Sequence, residues 1–245
     1  MSIYKSILEM ARQNKKMFSV LVDPDKPTDK EVISLAEKSM AAKVDYFFVG
    51  GSLLTNNNLD HCIKLLKENS DIPVVLFPGN TLQMSNKADA FLFLSLISGR
   101  NAEMLIGRHV IAAPYLKLSS LEVISTGYML IDSGRPTTVS YMSNSVPIPA
   151  DKTDVAACTA MAGEMLGMKL VYMDAGSGAI NPVSNEMIEM VNSSIEIPVI
   201  VGGGIRTPEK AAETARQGAD VVVVGNSIEK DKQLIMDIAH AIHNV

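Results

Sequence analysis

Short runs of β-branched and aromatic residues recur along the chain: FSVLV (18–22), VDYFFVG (44–50), IPVVLF (72–77), AFLFLS (90–95), KLVYMD (169–174), IPVIVG (197–202) and ADVVVVG (219–225). They are apolar on both faces, the pattern of a parallel sheet covered by helices. Between them the spacing becomes helical over 27–41, 57–69, 151–166, 184–193, 208–217 and 228–243, and the opening MSIYKSILEMARQNKK reads as an amphipathic helix. The last helix sets Leu234, Ile235, Ile238 and Ile242 on one stripe. Thr207 is placed to cap a helix beginning at Pro208, and Asp151 opens the segment carrying Ala156, Ala160 and Ala162.

Strand–helix units repeated over 245 residues match one (β/α)8 barrel, usually about 250 residues long. A single TIM-barrel domain over 1–245 is therefore expected. Two stretches break the rhythm. Only PGNTLQMSNKAD (78–89) separates strands three and four, too little for a barrel helix, so helix 3 is missing or replaced by an irregular segment. Residues 111–150, with YLKLSS, EVISTGYMLID and TTVSYMSN, read as a strand-rich excursion around strand five.

Composition narrows the function classes. Hydrophobic residues make up 47% of the chain, ample for a buried core, and the net charge is −5 with no block of five like charges. That excludes the electrostatic footprint of a nucleic-acid binder. No apolar run approaches the roughly 18 residues of a membrane span. Cys62 and Cys158 lie far apart, and the opening helix is not a charged-then-apolar secretion signal. A reduced, cytoplasmic setting is expected, with peripheral membrane contact left open.

The chemistry gathers where strands end. Gly202, Gly203 and Gly204 form a turn whose backbone N–H groups can converge on an anion before the Thr207-capped helix. A second turn, Gly225-Asn226-Ser227, follows the next strand. In a closed barrel both turns face one point on the C-terminal rim, where phosphate is held. This pairing favours a closed barrel over an open sheet. Arg206 either reaches that phosphate or faces solvent.

At the end of strand one, VDPDK (22–26) carries Asp23 and Asp25 around Pro24. Such carboxylates suit Mg2+ held jointly with substrate phosphates, and Asp23 is the nearer to the strand end; helix-start chemistry is the alternative. VGGSLL (49–54) brings the Ser52 hydroxyl beside that position, and VYMDAGSGA (171–179) puts Tyr172 and Asp174 on the rim ahead of a flexible Gly176-Ser177-Gly178 loop. Asp174 can accept a hydrogen bond from a substrate hydroxyl or act as its base. His61, His109, His240 and His243 lie outside these motifs and are expected on helices or the surface. With no HExxH or CxxC spacing, zinc hydrolysis and histidine acid catalysis are disfavoured.

In their order along the chain, VDPDK, VGGS, YMDAGSGA, IPVIVGGGIRTPEKA and ADVVVVGNSIE resemble the geranylgeranylglyceryl phosphate synthase family over nearly the whole chain. In that family an irregular strand-like segment replaces helix 3 and opens a long groove for a prenyl chain. The resemblance implies transfer of a geranylgeranyl or longer prenyl group from a polyprenyl diphosphate to the 3-hydroxyl of sn-glycerol 1-phosphate, with Mg2+ bound to the diphosphate. It implies Asp23 and Ser52 as metal ligands and Asp174 as the catalytic residue. Tyr172, Met173, Asp174, Ala175, Gly176, Ser177 and Gly178 would contact glycerol phosphate, while Gly203, Gly204, Gly225 and Asn226 hold its phosphate.

Many relatives carry Glu at the place of Asp174. One branch has Lys two positions before the metal Asp, where this chain has Leu21. TTVSYMSNSVPIP (137–149) resembles the longer branch, often dimeric or hexameric, which implies a homo-oligomer with Tyr141 as an interface anchor or as simple packing. The rival readings are another phosphate-binding barrel, either a phosphosugar isomerase or lyase or a flavin enzyme, and a non-enzymatic binding barrel.

Overall fold

The computed structural model describes residues 2–245. Eight parallel strands, β1 (Met17–Val22), β2 (Tyr46–Val49), β3 (Val74–Leu76), β4 (Ala90–Leu96), β5 (Glu122–Leu130), β6 (Leu170–Asp174), β7 (Val199–Gly202) and β8 (Val221–Val224), pair in sequence order as a closed barrel. β1 closes it against β8, from Met17 opposite Val221 to Val20 opposite Val224.

The doubly apolar strand pattern has a direct cause. Successive side chains point to opposite faces. Tyr46, Phe48, Leu170, Tyr172, Val221 and Val223 pack together in the barrel interior. Their neighbours Phe47, Val49, Val171, Met173, Val222 and Val224 pack against the helices outside. The same parity aims Tyr172 and Asp174 into the barrel mouth and turns Met173 away from it.

Helices α2 (Asp29–Ala41), α3 (Leu59–Asn69), α6 (Thr153–Met165), α7 (Asn185–Asn192) and α8 (Pro208–Arg216) fall where helical spacing places them. The Thr207 side chain accepts from Lys210 N, with Pro208 in the first turn. Asp151 does not cap α6: it sits in the preceding turn, and Lys152 occupies the cap position without a side-chain bond. The segment 228–243 is two helices, α9 (Asn226–Lys230) and α10 (Leu234–His243), because Asp231 turns extended and its Oδ1 accepts Gln233 N at 2.9 Å. Ile235, Ile238 and Ile242 are fully buried, as their stripe requires.

Residues 111–150 correct the expectation of a strand-rich excursion. A π-helical turn (Glu103–Gly107) runs into α4 (Arg108–Leu118), which takes up YLKL, and TVSYMS forms the short helix α5 (Thr138–Ser143). Only β5 between them is strand, in register with β4 and β6. The β-branched residues of TTVSYMSN lose to capping: Thr137 Oγ1 accepts Ser140 N, Ser140 Oγ accepts Thr137 N, and Asn144 ends the helix at φ 48°.

No helix lies between β3 and β4, as expected. The segment there is a loop without strand pairing, fastened by buried Gln83. Its amide nitrogen donates to Gly51 O at 2.8 Å and its Oε1 accepts Gly79 N at 3.0 Å, tying the loop to the β2–α3 connection. Among the described residues, no helix is long and apolar enough to cross a membrane.

Helix α1 (Ile3–Arg12) buries Ile3 and Ile7 in the interior cluster and so plugs the N-terminal end of the barrel. Glu122 holds it there, accepting Ser2 Oγ at 2.5 Å, Ile3 N at 2.6 Å and Tyr4 N at 3.1 Å. A carboxylate at a helix N-terminus satisfies otherwise unpaired amides and complements the helix dipole. Glu122→Ala should therefore lower unfolding free energy by about 1–2 kcal/mol in urea denaturation. An unchanged midpoint would mean that α1 docks through its apolar face alone.

Candidate functional site

The C-terminal ends of β1, β2, β6, β7 and β8 converge on one cavity of about 360 Å³. Its polar part is lined by Asp23, Ser52, Tyr172, Asp174, Gly176, Ser177, Gly178, Gly203, Gly204, Gly225 and Asn226. Every residue assigned from the motifs therefore reaches one space except two. Met173 and Ala175 are fully buried among the outer-face residues of the barrel. Ala175 takes part only through its backbone, donating to Gly202 O at 3.1 Å. Strand alternation excludes both side chains from the cavity.

The first glycine turn follows from close packing. Gly203 has φ 85°, and a Cβ there would lie 2.7 Å from Asp174 Oδ1 and 2.7 Å from Gly176 N. Gly202 likewise lacks the Cβ that would meet the Tyr172 hydroxyl oxygen at 2.7 Å. The second turn leads into α9, which has only five residues, so its contribution to anion binding comes from local amides rather than a long helix dipole. Ser227 Oγ donates to Ile205 O at 2.8 Å and fastens one turn to the other. Ser177 Oγ bonds Asn226 Oδ1 at 3.1 Å, closing the β6–α7 loop over the cradle.

Arg206 is exposed, as its solvent-facing alternative has it, and also borders the cavity. Its guanidinium donates to Ala179 O, and to Ile180 O at 3.1 Å. Arg135 donates to Gly178 O from the other side. Two cations thus hold the carbonyls of the β6–α7 loop, a role the sequence does not announce for Arg135.

Asp174 is 8% exposed. Its Oδ2 accepts the Tyr128 hydroxyl at 2.6 Å and its Oδ1 accepts Gly176 N at 2.7 Å. Burial pushes its carboxyl above the ordinary value, while the two hydrogen bonds oppose the shift. The buried Tyr128 phenol is held well above its own ordinary value, first by burial and then by the charge of Asp174. Tyr128 therefore stays a donor. Tyr128 stands opposite Tyr172 on the neighbouring strand, and inward parity in the ISTGYML run is the signal that could have found it. Phe77 stacks on Tyr172 with ring centroids 5.0 Å apart, which fixes that ring at the mouth.

Beyond this polar end the cavity continues over Phe91, Phe93, Leu94, Leu96, Met104, Ala112 and Met142, where helix 3 is absent. His109 sits on helix α4, as expected, and from there also lines this limb. It meets Phe93 edge-on with ring centroids 4.5 Å apart, and its Nδ1 is buried without a partner. Burial lowers its pKa, so the ring is neutral and suits an apolar wall.

For a cation the donors are few. Among the described residues no three His, Cys, Asp or Glu side chains cluster as a metal site. Asp25 does not line the cavity: its Oδ2 accepts Thr55 N, Thr55 Oγ1 at 3.2 Å and Asn56 N at 3.1 Å, while its Oδ1 is buried without a partner. That leaves the Asp23 carboxylate and the Ser52 hydroxyl on the cavity wall. Hard oxygens in so short a set fit Mg2+, which usually takes one or two carboxylates and fills its remaining positions with phosphate and water.

This geometry has known counterparts. The geranylgeranylglyceryl phosphate synthase of Chitinophaga pinensis is 58% identical over 241 residues, 98% of this chain and 96% of its own. That of Spirosoma linguale is 54% identical over 92% of this chain and 90% of its own. The solved (S)-3-O-geranylgeranylglyceryl phosphate synthase of Thermoplasma acidophilum, in complex with sn-glycerol-1-phosphate, is 35% identical with a TM-score of 0.95 over the full length of both chains. The model of the PcrB family matches residues 10–243, so this chain belongs to the PcrB family.

Proposed function

We propose that the chain is a prenyltransferase of the geranylgeranylglyceryl phosphate synthase type, moving a geranylgeranyl or longer polyprenyl group from its diphosphate to the 3-hydroxyl of sn-glycerol 1-phosphate. The observation that carries this reading is the union of a phosphate cradle and an apolar limb in one cavity, with Asp174 on the polar side. The names of the two close relatives and the glycerol phosphate bound to the Thermoplasma acidophilum protein support it. Phosphosugar isomerisation leaves the apolar limb without a purpose.

The amides of Gly203, Gly204, Gly225 and Asn226 hold the phosphate, and Tyr172 with the Gly176–Gly178 loop encloses the glycerol backbone. The 3-hydroxyl then faces Asp174, which accepts its proton or its hydrogen bond as the oxygen bonds to the first prenyl carbon and the bond from that carbon to diphosphate breaks. Tyr128 and the Gly176 amide keep the Asp174 carboxylate oriented. Phe91 and Phe93 floor the limb that takes the hydrocarbon, excluding water from the cationic carbon. Asp23 and Ser52 would hold Mg2+, which when bound neutralises charge on the departing diphosphate.

A cytoplasmic setting with peripheral membrane contact suits the free Cys62 and Cys158 and the apolar product. We also place the chain in a homo-oligomer, a dimer or hexamer. Val110, Ile111, Tyr115 and Leu118 of α4 and Tyr141 of α5 are all exposed, apolar side chains that a subunit contact would cover. Light scattering should give a mass of at least two chains, and a monomer at micromolar concentration would contradict this part.

A product assay with sn-glycerol 1-phosphate and prenyl diphosphates from C20 to C35 should give Mg2+-dependent ether formation. No turnover at any length by folded protein would overturn the reading. Asp23→Ala should keep the fold and lose at least about 100-fold in rate, about 2.7 kcal/mol of barrier; full Mg2+-dependent activity would remove Asp23 from the metal site.

Asp174 yields a separate test. A carboxyl raised above its ordinary 3.8 in the folded state contributes stability that is present at low pH and lost as pH rises through the folded value, so ionised Asp174 costs stability at neutral pH. Asp174→Asn should abolish turnover yet raise unfolding free energy at pH 7 by on the order of 1 kcal/mol. That gain should vanish below pH 3.8. Equal stability at every pH would show that burial of this carboxylate carries no cost.

A further inference from the structure

Resting on the prenyl-transfer reading, a further question is which side chain meets the diphosphate beside Asp23. A diphosphate carries more negative charge than one divalent cation neutralises, so a cationic side chain is needed as well. Arg206 lines the cavity, but its guanidinium is spent on Ala179 O and Ile180 O. Arg108 lies on α4 beside the apolar limb. Lys26 is differently placed. It lines the cavity, its side chain is 46% exposed, and its Nζ stands 3.2 Å from Asp23 Oδ2 and 3.2 Å from Glu229 Oε2.

Glu229 belongs to α9, the helix that opens at Gly225 and Asn226. Lys26 therefore spans the gap between the metal side of the cavity and the phosphate cradle. Lysine carries its full positive charge at any physiological pH, and the carboxylates of Asp23 and Glu229 hold the ammonium between these two parts of the cavity. Partly exposed ion pairs of this kind are weak, and a flexible four-carbon stem lets the ammonium exchange partners readily.

We propose that Lys26 is a diphosphate-binding residue, which exchanges its contact with Glu229 for a phosphoryl oxygen when the prenyl diphosphate lies beside Asp23. Lysine binds phosphate as a mobile point charge. Glu229 acts as its competitor, holding the ammonium at the rim and setting how much affinity the exchange returns.

The test is calorimetric titration of the full chain with inorganic diphosphate at saturating Mg2+, and with sn-glycerol 1-phosphate in parallel. Lys26→Gln should weaken diphosphate binding by about tenfold, the scale of one charge-assisted hydrogen bond. Glycerol phosphate affinity should stay unchanged, and Lys26→Arg should restore most of the loss. Glu229→Gln removes the same ion pair from the other side. It should bind diphosphate as well as or better than the unaltered chain, whereas equal weakening in Glu229→Gln and Lys26→Gln would make Lys26 merely structural and overturn the proposal. Unaltered diphosphate affinity in Lys26→Gln would overturn it too. Failure of the unsubstituted chain to bind diphosphate at all would instead overturn the reading of the cavity, and this inference with it.

Discussion

The close approach of the β7–α8 turn to the end of β6 is the constraint on which the site depends. A side chain at Gly203 would strike Asp174 Oδ1 and the amides of Ala175 and Gly176 within 2.8 Å. With none present, the phosphate-binding turn and the reacting carboxylate become neighbours held by one packing contact. The same contact leaves the Gly176 amide free to orient Asp174, while Ser177 and Asn226 close the loop above. Phosphate position and hydroxyl position are thus set together, and such orientation can supply several kcal/mol of catalysis.

A second constraint is the short β3–β4 connection. A normal barrel helix there would cover Phe91 and Phe93; the Gln83-pinned loop leaves them lining the cavity instead. The barrel therefore has a polar end built from backbone amides and an apolar side built from an omission. His109, whose pKa burial lowers, adds no charge to that side. Charge is concentrated at the rim, where Lys26 bridges the carboxylates of Asp23 and Glu229.

Most of this was legible in the chain. The strands showed because both faces of each are buried, and the first glycine turn showed because a Cβ at Gly202, Gly203 or Gly204 would collide with its neighbours. Tyr128 was hidden because its strand lies in a segment whose flanking helices α4 and α5 are rich in β-branched and aromatic residues, so local preference and tertiary outcome disagree. Arg135 and Gln83 were hidden for another reason: their hydrogen bonds reach loops 43 and 32 residues away, and no periodicity records such contacts. Met173 and Ala175 show the converse, since a contiguous motif takes no account of the alternation that turns their side chains out of the cavity.

The most direct measurement is a crystal structure of the chain with sn-glycerol 1-phosphate and a non-hydrolysable prenyl thiodiphosphate. This arrangement of the site requires the phosphate on the amides of Gly203, Gly204, Gly225 and Asn226, the 3-hydroxyl facing Asp174, and the hydrocarbon along Phe91 and Phe93. Glycerol phosphate bound away from the two glycine turns, or a prenyl chain lying outside the groove left by the missing helix, would contradict it.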